Sequence, residues 1–228
     1  MLCIVLRNCH GVRIKMACQA ILFATFCLVS ATASSRALSC EGAGDERTAL
    51  KQAPSGARRV NHHVLEVGFK SGAKRFTDKA PHEALSGLHW RYCGYDGHAK
   101  VHLVEMTKES LRSGELLYED TGTLLRAGHT ILFSPKQHEF LAIEQKDGMD
   151  GELWTVYDID GTAKWSGYAG TLKRLNGIDT VVSSFERPQW NTQGELTARC
   201  ADSKANGFVT LQHSSNGWRW RGNGTCGL

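Results

Sequence analysis

Residues 128–170 read GHTILFSPKQHEFLAIEQKDGMDGELWTVYDIDGTAKWSGYAG. Four short apolar runs, Ile131-Leu132-Phe133, Phe140 to Glu144, Leu153 to Ile159 and Ala163 to Tyr168, alternate with turn chemistry. The separators are Ser134-Pro135-Lys136-Gln137, then Lys146-Asp147-Gly148-Met149-Asp150-Gly151, then Asp160-Gly161. Runs this short, closed by Pro and Asp-Gly, cannot be amphipathic helices; they predict a four-stranded antiparallel meander. The Asp160-Gly161 turn pairs Val156 with Trp165 and Tyr157 with Lys164. Trp154, Val156 and Trp165 then share one face.

The same grammar extends outward. Leu88–Tyr95 and His98–Met106 flank Asp96-Gly97, a two-residue turn that pairs Cys93 with Lys100 and Arg91 with His102. The expected faces are Arg91, Cys93, Tyr95, His98, Lys100 and His102 on one side, and Trp90, Tyr92, Gly94, Ala99, Val101 and Leu103 on the other. Thr107–Gly114 reads as a helical turn or loop. Glu115–Tyr118 and Thr123–Leu125 flank Asp120-Thr121-Gly122, with Gly122 available for a left-handed position. After a loop at Lys173–Gly177, Thr180–Phe185 is a strand, with Pro188 marking an edge or bend. Glu195–Cys200 and Gly207–His213 follow, and Asn216-Gly217 closes the last hairpin. That places Val209, Leu211, His213, Trp218 and Trp220 on one face. Upstream, Val64–Phe69 is a strand, Asp45–Gln52 a short helix capped by Asp45, and Asp78–Leu85 a further helical turn.

Residues 130–170 resemble one blade of a WD-type or TolB-type β-propeller. The resemblance rests on Phe133-Ser134-Pro135, five further residues, then Leu141-Ala142, followed by a strand pair closed by Asp-Gly. Residues 64–127 and 181–222 can be read as two degenerate copies. A closed propeller needs more blades than this chain has material for. The expected fold is therefore all-β, an antiparallel meander of about three blade-like units, forming open or incomplete propeller-like sheets or a sandwich, with minor short helices.

The N-terminus has its own character. Residues 1–33 hold Arg7, Arg13 and Lys15, no acid, an apolar run from Ala17 to Ala31, and Ala31-Thr32-Ala33. This is the pattern of a secretory signal cleaved after Ala33, the alternatives being an uncleaved anchor or a start at Met16. Residues 34–62 then form an N-terminal arm and 63–228 a single β-rich domain. The whole chain has 27 bases and 23 acids; without the leader 24 bases face 23 acids, a net charge of +1. Such a balance offers no basic face for nucleic acid. No later segment is long enough to span a membrane. The localisation expected is secreted or periplasmic.

Four of the eight cysteines lie in the leader; Cys40, Cys93, Cys200 and Cys226 remain. In an oxidising compartment they predict two disulfides. The last hairpin returns Cys226 to the end of the sheet where Cys200 sits, which favours Cys200–Cys226 and, by elimination, Cys40–Cys93. Lipidation of Cys40 is the alternative, though no Leu stands three residues before it.

Candidate chemistry is sparse. Cys93 with Asp96 and His98 invites a thiol-nucleophile reading, but an exported cysteine near a partner is better read as a disulfide. His98 and His102, four apart on a strand, stand roughly 13 Å apart and cannot share a metal; both read as surface residues. His62-His63 alternate faces, and His213 lies on an aromatic face. Asp147, Asp150 and Glu152, spaced by glycines, could offer oxygens to calcium, with Asp158 or Asp160 as further ligands; the competing reading is a solvated turn. No other cofactor is implied. There is no GxSxG, HExxH or phosphate loop, and no spacing identifies a glycosidase pair. Of the six tryptophans, Trp90, Trp154, Trp165, Trp218 and Trp220 fall on apolar faces. Asn223-Gly224-Thr225 is a glycosylation sequon. The first reading is a secreted or periplasmic non-catalytic binding protein, an inhibitor, immunity factor or adaptor with a protein or glycan ligand, and oligomerisation is possible for it. The runner-up is an exported hydrolase whose carboxylates converge in space, and the third a structural envelope component.

Overall fold

The structure is a computed structural model that describes residues 36–228 except 42–43, 55, 83–85, 110, 137, 146–150, 176–177, 202–206, 216, 223–225 and 227–228, with the backbone alone over 171–182. In chain order the elements are β1 (Arg36–Ser39), α1 (Glu46–Gln52), β2 (Arg58–Asn61), β3 (Val64–Phe69), β4 (Gly72–Thr77), β5 (Leu88–Asp96), β6 (Val101–Lys108), β7 (Leu111–Tyr118) and β8 (Leu124–Arg126). There follow β9 (Thr130–Phe133), β10 (Glu139–Gln145), β11 (Glu152–Asp158), β12 (Ala163–Tyr168), β13 (Gly170–Leu175), β14 (Ile178–Trp190), β15 (Leu196–Cys200), β16 (Phe208–Ser214) and β17 (Gly217–Gly222). The chain is all-β and antiparallel, with one short helix among the described residues. No described helix is long and apolar enough to cross a membrane. The leader, residues 1–33, lies outside the described residues.

The central sheet runs β1-β9-β10-β7-β6-β5, with β8 on β7 and β11-β12 branching from β10. The meander read from residues 128–170 is present as β9-β10-β11-β12, with Val156 opposite Trp165 as the Asp160-Gly161 turn requires. A bulge then pairs Tyr157 with Ala163 rather than Lys164. The sheet curls until its two ends nearly meet, and the Cys40–Cys93 disulfide joins them. Arg91 Nη2 donates to the Cys40 carbonyl at 2.5 Å, and Arg36 Nη2 lies 3.4 Å from Asp96 Oδ1. Covalent and charged contacts thus close a seam that no ladder hydrogen bonds close. The N-terminal arm expected over 34–62 therefore contributes β1 to this sheet and holds α1 and β2 beyond it, with Ser39 Oγ 2.8 Å from Thr130 Oγ1 across the β1–β9 pair.

Strand alternation sends side chains to three cores. Val101, Leu103, Leu116, Ile131, Phe133, Phe140 and Ala142 fill the curled sheet. Tyr92, Val104 and Leu117 point outward against α1 and the β2-β3-β4 sheet, meeting Ala49, Leu65, Val67 and Phe76. Leu141, Ile143, Trp154 and Val156 point outward elsewhere, against Phe185, Trp190, Leu196, Val209 and Leu211 of the β13-β14-β15-β16-β17 sheet. Trp190 Nε1 donates to the Leu132 carbonyl at 2.8 Å, tying that sheet to β9. Trp220, half-buried, meets Trp154, Trp165 and Phe185 edge-on. Both disulfides have the expected pairing, Cys40–Cys93 and Cys200–Cys226.

Several local expectations need correction. The β5–β6 hairpin pairs Asp96 with Val101 and Tyr95 with His102, so its connection is longer than Asp96-Gly97. Asp96 Oδ1 accepts from the N–H groups of His98 and Ala99, and this side-chain cap outcompetes the two-residue turn. A bulge between Tyr92 and Gly94 lets Tyr92 and Tyr95 share a face, while Cys93 turns inward to Cys40. His102, expected at the surface, is fully buried between those tyrosines. The Tyr92 hydroxyl lies 2.9 Å from its Nδ1, and Tyr95 donates to Glu119. Of the residues read as a helical turn or loop, 107–108 end β6 and 111–114 begin β7, with Lys108 opposite Leu111 and Glu109 left-handed at φ 56°. Residues 173–175 belong to β13, and Pro188 sits in a β14 bulge. The last hairpin pairs Ser214 with Gly217 and His213 with Trp218; this moves the partners by two but leaves the faces unchanged. Lys79 and Leu88 form a bridge where a helical turn was expected.

Two outcomes are expected from this architecture. Replacing Cys40 and Cys93 by Ser opens a loop with a sequence separation of 53 and costs roughly 4 kcal/mol, read as a fall in the urea midpoint. Burial lowers the His102 pKa from 6.5 to about 4. Between those values the unfolded chain binds the proton and the folded one does not, so the stability is complete above about pH 6.5 and is lost as the pH falls toward 4. His102→Gln should flatten the melting temperature in that window; an equally steep fall would assign it to other groups.

Candidate functional site

Beside the seam lies a chain of charges. Glu105 is 3% exposed, a position no carboxylate occupies without strong partners. Arg91 donates to Oε2 through Nε at 3.0 Å and Nη2 at 2.8 Å, and Arg112 to Oε1 through Nε at 2.8 Å and Nη2 at 2.5 Å. The two planar guanidinium forks satisfy both oxygens. Arg112 continues outward through Nη1 to Glu41 Oε1 at 2.8 Å, and that same oxygen lies 3.8 Å from His129 Nε2. Cys40, Cys93 and Glu105 also cluster closely enough for a metal, but the sulfurs are bonded to each other and the carboxylate is spent on arginines.

His129 is held by its backbone. Its N–H donates to the Ile143 carbonyl at 2.9 Å and its carbonyl accepts from Cys40 N–H at 3.2 Å. The approach is close because Gly128, at φ 102°, lies where a Cβ would fall 2.2 Å from the Ile143 oxygen; a Cβ on Gly114 would fall 1.8 Å from the Gly128 oxygen. Side chains at either position would push β7 and β10 off the histidine. Its imidazole is 4% exposed, and Nδ1 is buried with no hydrogen-bond partner among the described residues. Burial lowers its pKa, and the Arg112 charge adds to this, while Glu41, Glu152 and Glu105 act against it. The ring is therefore neutral at pH 7.

His129 forms one wall of a cleft of about 320 Å³. Glu41, Thr130 and Ile143 stand beside it, Gly151 and Glu152 come from the start of β11, and Ser184 to Pro188 from the β14 bulge. Arg187 there adopts φ 52°, a left-handed conformation costly for a side-chain-bearing residue. Two carboxylates around the cleft are hydrogen-bonded, Glu41 with Arg112 and Glu152 Oε2 with Trp154 Nε1 at 2.9 Å, and Glu186 lies 3.7 Å from Arg199. Such a site presents hydrogen-bonding groups of both senses over an apolar floor of Ile143 and Phe185.

Of the calcium ligands expected from sequence, Asp147 and Asp150 lie outside the described residues, as does the sequon at 223–225. Glu152 is at the cleft edge, bonded to a tryptophan. Asp158 is placed on the opposite end of β11, where Thr162 N–H donates to Oδ1 at 2.8 Å, so Glu152 and Asp158 are not brought together. His213 stacks edge-on against Trp218, with centroids 5.1 Å apart. Sequence reading missed His129, Glu41, Glu105, Arg91 and Arg112 as a set. The only local trace of it was Gly128 directly before His129.

Arg112→Met leaves Glu105 with one fork and should cost about 3 kcal/mol, measured as a shift in the urea midpoint, because the remaining buried charge is under-compensated. The same change frees Glu41 and should raise the His129 pKa, read by NMR titration, since a lowering charge is removed.

Comparison of the chain with protein-family models, curated proteins and solved structures finds no match, so the reading of the cleft rests on its own chemistry.

Proposed function

We propose that this is a secreted or periplasmic binding protein, without catalysis of its own, that takes a polar group of a protein or glycan ligand into the cleft at His129. The observation that carries the reading is the buried His129 imidazole on the wall of the cleft, whose Nδ1 lacks a hydrogen-bond partner among the described residues while Glu41 and Glu152 are already engaged. A buried unpaired nitrogen costs free energy that a ligand hydroxyl or amide can recover. General acid–base hydrolysis asks for the opposite arrangement, a carboxylate pair free to exchange protons across a bond. The two disulfides fit an oxidising compartment.

The test pairs capture with an activity screen. Tagged protein is exposed to native envelope and medium fractions and to a glycan panel, beside His129→Ala and Glu152→Gln. The expected result is one stoichiometric ligand, bound without turnover and released at least tenfold more readily by His129→Ala. Hydrolysis of any panel glycan that Glu152→Gln abolishes would replace the binding reading with the hydrolase one. Self-assembly without another ligand would favour an envelope component.

A further inference from the structure

Away from that cleft, the β2-β3-β4 sheet carries a charge distribution unlike that of the whole chain. Residues 58–79 hold six bases, Arg58, Arg59, Lys70, Lys74, Arg75 and Lys79, and two acids, Glu66 and Asp78. Both acids are sequestered, Glu66 at 8% exposure and the Asp78 side chain at 7%, whereas Arg58, Lys70, Lys74, Arg75 and Lys79 are all exposed. Between 58 and 79 the exposed charges are therefore all positive. The net charge of +1 over residues 34–228 conceals this, because acids outnumber bases in the remainder.

Strand register places these bases. Arg58 and Arg75 stand opposite Glu66 from the two flanking strands, so the three share the face of the sheet turned away from Leu65, Val67 and Phe76. Arg58 donates to Glu66 Oε1 through Nε at 3.0 Å and Nη2 at 2.7 Å, and Arg75 to Oε2 through Nε at 2.7 Å. One carboxylate thus orients two guanidinium groups whose strands lie about 10 Å apart. Their remaining nitrogens make no hydrogen bond to a described residue. Lys74 precedes Arg75 on β4, an edge strand of this sheet, while Lys70 lies in the turn before β4 and Lys79 just past its end. Together they line about 20 Å of edge. No ion pair joins these three lysines to a described residue. Lys70 N–H donates to the Glu119 carbonyl at 2.8 Å, but the Glu119 side chain accepts from Tyr95 and Asp120 pairs with Lys100 at 3.1 Å.

A lysine on an edge strand guards it against pairing with another chain. Four bases along one edge with no exposed acid go beyond that need, and their mutual repulsion is relieved when a polyanion lies on them. The bases form a line rather than a plane, which suits one extended chain. Val60 is the only large apolar side chain exposed between 58 and 79, and no Phe, Tyr or Trp there is exposed. The face thus lacks both the aromatic platform on which nucleic-acid bases stack and the apolar row that enters a lipid surface.

We propose that the β4 edge and the Arg58–Glu66–Arg75 face bind a linear acidic polysaccharide. Its sulfate or uronate groups pair with Lys70, Lys74, Lys79 and the unbonded guanidinium nitrogens, whose fork matches such oxyanions. This surface is separate from the His129 cleft and shares no residue with it.

Purified protein is titrated with a heparin octasaccharide at physiological salt by calorimetry, beside duplex DNA and phosphatidylserine vesicles. The expected result is saturable binding of the oligosaccharide that weakens as salt is raised. The combined variant Lys70→Gln, Lys74→Gln and Lys79→Gln changes exposed side chains alone and should bind at least tenfold more weakly. Lys108→Gln, Lys136→Gln and Arg219→Gln, which together remove as many exposed bases elsewhere, should leave the affinity nearly unchanged, as should His129→Ala. Absence of binding would overturn the proposal, and so would equal weakening in the two triple variants, since net charge alone would then act. Loss in His129→Ala would place the polysaccharide in the cleft instead. Tighter binding of the duplex or the vesicles than of the oligosaccharide would overturn the choice of partner.

Discussion

The curled central sheet depends on its seam. A sheet closed on itself by hydrogen bonds has no edge to protect, but β1 and β5 are joined instead by the Cys40–Cys93 disulfide, the Arg91 contact to the Cys40 carbonyl and the Arg36–Asp96 pair. The bulge at Tyr92–Gly94 follows from the same need. It turns Cys93 toward Cys40 and, as a consequence, places Tyr92 and Tyr95 on either side of His102.

The charged chain next to the seam shows what the fold does with polar groups it cannot expel. Glu105 and Arg91 are cross-strand partners, and Arg112 approaches from β7, so one buried carboxylate is gripped from both neighbouring strands. Arg112 then holds Glu41 close to His129, carrying order from the interior to the wall of the cleft. The cleft inherits its geometry from these contacts.

Comparing elements shows where the chain is readable. The β9–β12 meander was legible because period-two alternation and Asp160-Gly161 act over a few residues, and no distant contact competes with them. The α1 helix was legible from its Asp45 cap, which accepts from Arg47 N–H. The β5–β6 hairpin was misread because Asp96 can serve either as a turn residue or as a cap for the next two amides, and sequence alone does not choose between them. His102 keeps the face expected for it, opposite Val101 and Leu103, but that face is covered rather than solvated, with Tyr92 and Tyr95 packed on its ring.

By itself the sequence determined the all-β class, most strand positions and the aromatic faces of the last hairpin. All of these follow from alternation, turn chemistry and parity, which are local. Tertiary structure alone decided the curl of the central sheet, the burial of His102 and Glu105, and the cleft at His129. Glu41 meets Arg112 across 71 residues, so the chemistry of the cleft exists only once long-range pairing has brought the strands together.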